Sequence, residues 1–316
     1  MRELHVVFGA RGPLGIEIVR QLDAAGERVR AVVREEDAAH CALPAHTEVF
    51  HADPIHRRRA IEAAEGATVV YRCMTIWLHQ WGEMWLPMTE NVIAAASQAK
   101  ARLVSPGNLY VYGPLQQVPA TEEHPLAAVG EKGRLRITTQ QLLFDAHNSG
   151  QLPVVIPRFA DIYGPCVLTP FHGMVFHHAL RNEPVGWPGR LDNPRDLIFV
   201  EDAARACILL GRHPETFGQV WHVPGPGALT SAEFIRMIYE ATGHHPRVRH
   251  ISATALRLQG LFDPELKAFS EFRYRFEEPQ VLDGTKFHTA FPDFRYTPHQ
   301  EAVERTLEWF RRHYIS

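Results

Sequence analysis

A doubly wound parallel sheet of the α/β class, followed by a smaller and mostly helical C-terminal domain, is the fold the sequence predicts. Three observations carry that expectation. Short apolar runs alternate with helical stretches through the first half of the chain, the rhythm of strand–helix–strand units. The first run, Leu4 to Phe8, passes straight into three glycines spaced by three, Gly9, Gly12 and Gly15, and then into a helical pattern bearing Ile16, Val19 and Leu22. After about residue 164 the alternation stops, and proline, glycine, histidine and aromatic residues become frequent.

In chain order, strands are expected at 4–8, 29–33, 47–50, 68–71, 102–105 and 154–157, with helices near 14–25, 55–64, 84–99 and 131–149 between them. The run 196–200 and the helix 201–212 read as a return to the main sheet. A Rossmann-type domain is therefore placed at 1–164, rejoined by 196–222, and a substrate-binding domain at 165–316. Helices near 171–181, 231–242 and 299–313 belong to the latter. It is expected over the carboxyl ends of the strands, where open α/β sheets bind ligands.

The glycine spacing has a physical reading. Gly9 allows the tight turn, Gly12 lets the backbone approach a pyrophosphate, and Gly15 lets the helix lie close on the sheet. Pro13 suits the first helical turn, where its missing N–H would be unpaired anyway. With Leu14 these residues form a cradle of main-chain amides at a helix N-terminus, which favours phosphate. The second strand ends Val32-Val33-Arg34, with no carboxylate before Glu35 to take a ribose 2′-hydroxyl. Arg34 and Arg11 offer guanidiniums to a 2′-phosphate instead, so NADP is expected over NAD. Solvated surface arginines are the alternative. Asp53 after the third strand, Met74 after the fourth and Phe159 after the sixth complete the expected cofactor contacts.

Bulk properties narrow the function classes. A chain of 316 residues with 45% hydrophobic and 22% charged residues can bury a large core. A net charge of -3 supplies no basic field for nucleic acid or anionic lipid, so a small-molecule substrate is expected. No apolar stretch reaches membrane-spanning length, and the chain begins on a strand, so it reads as cytoplasmic. Cys41, Cys73, Cys166 and Cys207 show no CxxC spacing and read as buried, reduced thiols. The nineteen histidines include the pairs His177-His178 and His244-His245, but neighbours in a helix face different ways and no metal-ligand spacing occurs, so no metal site is expected.

Four later segments, in order, extend the argument: Leu109-Tyr110-Val111-Tyr112-Gly113-Pro114; Pro157-Arg158-Phe159-Ala160-Asp161-Ile162-Tyr163-Gly164-Pro165; Arg195-Asp196-Leu197-Ile198-Phe199-Val200-Glu201-Asp202-Ala203-Ala204-Arg205-Ala206; and Leu282-Asp283-Gly284-Thr285-Lys286 with Tyr296-Thr297-Pro298. Together with the glycine turn they resemble the extended short-chain dehydrogenase/reductases, the nucleotide-sugar epimerases and dehydratases, over nearly the whole chain. The resemblance implies an asparagine, a Ser/Thr before VYG, and a tyrosine followed four residues later by lysine. Asn91 matches the asparagine. Asn108 stands at the Ser/Thr position, and Lys132 and Arg136 align with the tyrosine and lysine. No tyrosine precedes any of the four lysines by four residues, the positions being Ala96, Ala128, Asp263 and Leu282. The chain thus looks like an atypical member that keeps the cofactor site and lacks the usual acid. Many relatives pair through two helices, so a homodimer is implied.

Other residues offer replacement chemistry, each with a plainer alternative. Lys132 can donate a proton if nearby positive charge lowers its pKa, or bind cofactor phosphate or solvent. Asn108 can polarise a carbonyl with its amide, or cap a turn. Arg136 can hydrogen-bond ribose hydroxyls. Tyr110 projects into the cleft or into the core. Arg195 resembles the position where the family binds a substrate's phosphates, or pairs with Asp192 or Asp196. Met74, Thr75, Ile76 and Trp77, with Phe159, Phe171, His172 and Trp187, suggest an aromatic pocket or simply core. Thr75, Tyr110, His172 and Arg195 are the expected substrate contacts. The favoured function is an NADP-dependent oxidoreductase acting on a carbonyl or alcohol. A nucleotide-sugar epimerase and a non-catalytic NADP(H)-binding redox sensor are the alternatives.

Overall fold

The run Leu4–Phe8 becomes β1, all five residues buried, because it lies inside a parallel sheet with neighbours on both sides. The computed structural model describes residues 3–34, 41–169 and 173–314, and all their side chains except those of Ala253, Arg257 and Gln259. Two compact units are distinguished: Met1–Gly107 with Glu131–Arg158 and Ala203–Trp221, and Asn108–Gly130 with Phe159–Asp202 and His222–Ser316.

In the first unit, elements are numbered along the chain as β1, α1 (Pro13–Ala24), β2 (Arg28–Val33), β3 (Glu48–His51), α2 (Arg57–Ala63), β4 (Val69–Arg72), α3 (Trp81–Gln98), β5 (Arg102–Val104), α4 (Gly130–Asn148) and β6 (Val154–Arg158). The chain comes back to this unit with α6 (Val200–Arg212) and β11 (Gln219–His222). The seven strands run in the order β11-β6-β5-β4-β1-β2-β3. Pairings of β1 with β2 and with β4 are parallel, so the strand order reverses at β1, and the crevice between the ends of β1 and β4 is the switch point where such sheets bind ligands.

Local sequence explains these elements. Helix α1 buries Ile16, Ile18, Val19 and Leu22 against the sheet, and Pro13 opens it without losing a needed donor. Strand β3 is an edge strand, largely exposed, and its partner β2 sends Arg30 Nε to Glu48 Oε1 at 2.7 Å. Helices α3 and α4 join through Trp85, whose indole N–H donates to Thr139 Oγ1 at 2.9 Å.

The second unit holds β7 (Asp161–Tyr163), α5 (Met174–Leu180), β8 (Val185–Trp187), β9 (Pro194–Arg195), β10 (Leu197–Phe199), β12 (Leu229–Thr230), α7 (Ser231–Glu240), β13 (Val248–His250), α8 (Ala253–Gln259), α9 (Pro264–Phe269), α10 (Tyr274–Glu277), α11 (Thr285–Ala290) and α12 (His299–Tyr314). Among the described residues its strands form three two-stranded sheets, β10-β7, β12-β9 and β13-β8. Helices α5, α7 and α12 enclose a core of Phe176, Phe234 and Phe310, with Tyr163 5.1 Å from Phe234. A capping box at Thr230 and Glu233 starts α7.

Two expectations are corrected here. The run 196–200 does not return to the main sheet: β10 pairs in parallel with β7, and it is Gln219–His222 that adds the seventh strand beside β6. Cys73 and Cys207 are free and buried, but Cys41 and Cys166 are disulfide-bonded rather than reduced. Spacing along a chain carries no sign of a pairing that tertiary structure makes.

Candidate functional site: a glycine turn flanked by arginines

The glycines behave as their spacing implies. Gly9 has φ +78°, and a Cβ there would stand 2.6 Å from the Cys73 carbonyl oxygen, so β4 runs too close for any side chain. A Cβ on Gly15 would meet the Gly9 carbonyl oxygen at 2.2 Å, which holds α1 tight against the turn. Gly12 is looser, with Gly9 O at 3.3 Å, and its open side faces the pocket. The first turn of α1 carries no acid, so its free N–H groups present an uncompensated positive end.

A cavity of about 220 Å³ opens above this turn. Gly9, Arg11, Gly12, Pro13, Arg34, Met74 and Thr75 line it, so seven of the residues expected at cofactor or substrate meet in one place. Val32, Ala52, Pro54 and Met88 line it too, and were not anticipated. The Ala52 and Pro54 positions flank Asp53, which does not line the pocket; its Oδ1 instead accepts the Ile55 N–H at 2.9 Å and shapes the turn after β3. Alternation after a strand could have pointed to the flanking pair. Leu14 follows Pro13 in α1 and does not line the cavity either. No carboxylate stands among the described lining residues. Glu35 lies outside the described residues.

Farther along the strand ends, Arg72 closes β4 at 2% exposure. Its Nη2 donates to Thr89 Oγ1 at 2.7 Å, and its guanidinium carbon lies 4.6 Å from the Trp85 ring. Burial without a carboxylate partner pushes its pKa down to about 10. Arg136 lies on the same aromatic pair, 4.5 Å from Trp81 and 4.1 Å from Trp85, one helical turn beyond Lys132. Lys132 is 8% exposed, with Nζ 3.2 Å from Glu131 Oε2. Asn91 is committed elsewhere: its amide donates to the carbonyls of Pro54 and Ile55 at 2.9 and 3.0 Å, tying α3 to the turn below β3.

Within the second unit, Asn108 Oδ1 accepts the Tyr110 N–H at 3.2 Å and caps the short helical turn Leu109–Val111. Tyr110 stacks on Phe272 at 3.9 Å, with the Arg275 guanidinium 4.9 Å from its ring. Arg195 is 1% exposed and turned inward: Nη1 donates to Asp161 Oδ2 at 3.1 Å and Nη2 to the Arg275 carbonyl at 2.8 Å. Phe159 and Trp187 are core residues at 1% and 0% exposure. His172 and Phe171 lie outside the described residues.

Comparison with known proteins agrees with this layout. A family model described as NAD dependent epimerase/dehydratase family matches residues 5–223. The chain is 27% identical over 273 residues to 4-hydroxy-2-methyl-3-oxo-4-farnesyl-3,4-dihydroquinoline-1-oxide ketoreductase of Stigmatella aurantiaca, covering 79% of this chain and 77% of that protein. It is 23% identical over 265 residues to dTDP-6-deoxy-L-talose 4-dehydrogenase (NAD(P)(+)) of Kitasatospora kifunensis, covering 78% and 81%. In fold it is similar to UDP-glucose 4-epimerase of Thermus thermophilus, solved with NAD, at a TM-score of 0.80 and 20% identity over 98% of this chain and 99% of that one. No helix among the described residues is long and apolar enough to cross a membrane.

Proposed function

The chain belongs to the NAD dependent epimerase/dehydratase family, and from that premise we propose that it is a cytoplasmic, NADP-linked oxidoreductase interconverting a carbonyl and an alcohol on a small molecule. Arg11 and Arg34 carry the reading, since both line the pocket of Gly9 and Gly12, and no acid is among its described lining residues. Their guanidiniums supply paired, charge-assisted donors that suit a 2′-phosphate, where a carboxylate would instead take the 2′-hydroxyl. A nicotinamide dinucleotide held there supplies or accepts hydride.

The rest falls to the chain's own groups. Lys132, sheltered and facing Glu131, is proposed to hold the proton that the alcohol gains or loses. Asn108, its oxygen fixed by the Tyr110 N–H, is proposed to aim its amide hydrogens at the carbonyl oxygen. Likeness to a ketoreductase and a sugar 4-dehydrogenase supports carbonyl chemistry. Epimerisation of a nucleotide sugar fits less well, because Arg195, at the position resembling the family's phosphate-binding arginine, spends its guanidinium on Asp161.

Titration of the purified protein with NADPH and NADH, followed by a panel of aldehydes, ketones and nucleotide sugars at the NADPH absorbance band, tests the proposal. Tighter NADPH binding and turnover of a ketone or aldehyde are expected. A preference for NADH overturns the phosphate reading, and tight binding without any turnover favours a redox sensor.

A further inference from the structure

The last turn of helix α5 carries two consecutive histidines, His177 and His178, and beyond it the chain turns at Asn182, whose φ is +52°, before β8. The turn carries Glu183 back beneath the helix end. One ring nitrogen from each histidine and a carboxylate oxygen of Glu183 all lie within 4.8 Å of one another. The expectation that neighbouring histidines point apart fails at this helix end. We infer that His177, His178 and Glu183 form a binding site for one divalent transition-metal cation of the zinc type.

The donor chemistry supports this. Glu183 Oε1 accepts from Arg181 Nε at 2.9 Å, while Oε2 faces His178 Nδ1 at 3.3 Å. The two oxygens are therefore divided, one fixed by Arg181 and the other turned toward the imidazoles. A ligating carboxylate that is itself hydrogen-bonded from behind is the usual outer-sphere arrangement. His177 Nδ1 is buried with no hydrogen-bond partner among the described residues, an orphaned polar atom that needs an explanation. Two nitrogens and one oxygen suit zinc, cobalt or nickel rather than the all-oxygen preference of magnesium or calcium, with a fourth position for water.

The surroundings indicate what the cation would do. The Tyr239 hydroxyl of α7 donates to the Glu183 carbonyl oxygen, and the Tyr314 ring of α12 stands edge-on 6.1 Å from His177. A cation here would clip the α5–β8 turn where three helices of the unit converge. A ligand that binds the native state alone raises its apparent stability by mass action.

The test uses untagged protein stripped with a chelator, titrated with Zn²⁺ by calorimetry and with Co²⁺ by visible absorption. One saturating site, a ligand-field band with Co²⁺ and a Zn²⁺-dependent rise in Tm are expected. His178→Ala with Glu183→Gln should abolish the band and the rise in Tm while leaving the metal-free far-UV spectrum unchanged. Arg181→Gln should weaken affinity about 10–100-fold, as loss of an outer-sphere partner does. No saturable uptake overturns the inference. So does equal uptake by wild type and the double variant, which would assign the metal to other histidines.

Discussion

Arg195 and Asp161 meet as a buried ion pair, Nη1 to Oδ2 at 3.1 Å, and the same carboxylate accepts from Arg275 Nη2 through Oδ1 at 2.8 Å. One acid thus serves two guanidiniums that lie 80 residues apart in the chain. Removing one member of a buried pair leaves uncompensated charge and costs about 3–5 kcal/mol. Asp161→Asn is expected to lose stability in that range by urea unfolding. A loss typical of a surface pair, below about 1 kcal/mol, would show that the guanidiniums do not depend on it.

Next to this trio, burial drives the Asp196 carboxyl up to about 7, against the Leu282 N–H that favours its charge and with Asp161 adding to the rise. The native state keeps a proton there that the unfolded chain releases near pH 4, about the ordinary aspartate value. This group's contribution to stability therefore falls as pH rises from about 4 to about 7 and is level above that window. Asp196→Asn retains an oxygen for the Leu282 N–H, which now sits 2.7 Å from Oδ2. Urea midpoints measured between pH 4 and pH 8 should show the variant with a shallower fall than wild type, and parallel curves would refute the assignment.

Arg34→Ser and Arg11→Ser should each weaken NADPH binding while sparing NADH. A hydrogen bond to a charged group is worth about 1.5–3 kcal/mol, so losses of about 10–100-fold are expected. Fluorescence titration of both nucleotides reads the outcome. Equal weakening of NADPH and NADH would mean that the arginines serve the pyrophosphate or the fold, not the 2′-phosphate.

Arg72 is buried beside Thr89, Ser105 and Trp85, and no carboxylate among the described residues faces it. Thr89 Oγ1 already donates to the Trp85 carbonyl at 2.7 Å, so it keeps a partner if the guanidinium goes. Arg72→Met is expected to hold or raise stability, by up to about 1–4 kcal/mol, as apolar replacement of buried charge often does. Thermal unfolding checks it. A large drop in Tm would show that the hydrogen bonds and ring contact outweigh the desolvation cost.

Local pattern alone was enough for much of this protein. The strands of the main sheet from β1 to β6 fall within a residue or two of their expected places, and for β1, β4 and β6 the reason is burial along the whole strand, which imposes largely apolar runs. Gly9 and Gly15 announced the tight turn and the close approach of α1, since their spacing reflects backbone sterics within one turn, and Arg11 and Arg34 line the pocket beside them. Tertiary structure decided the rest. That Ala52 and Pro54, not Asp53, face the pocket depends on how a loop leaves β3. The sharing of Asp161 by Arg195 and Arg275 and the seventh strand at Gln219–His222 both depend on segments far apart in the chain. Periodicity records which side of an element is buried, but the partner that buries it is chosen only when the chain closes on itself.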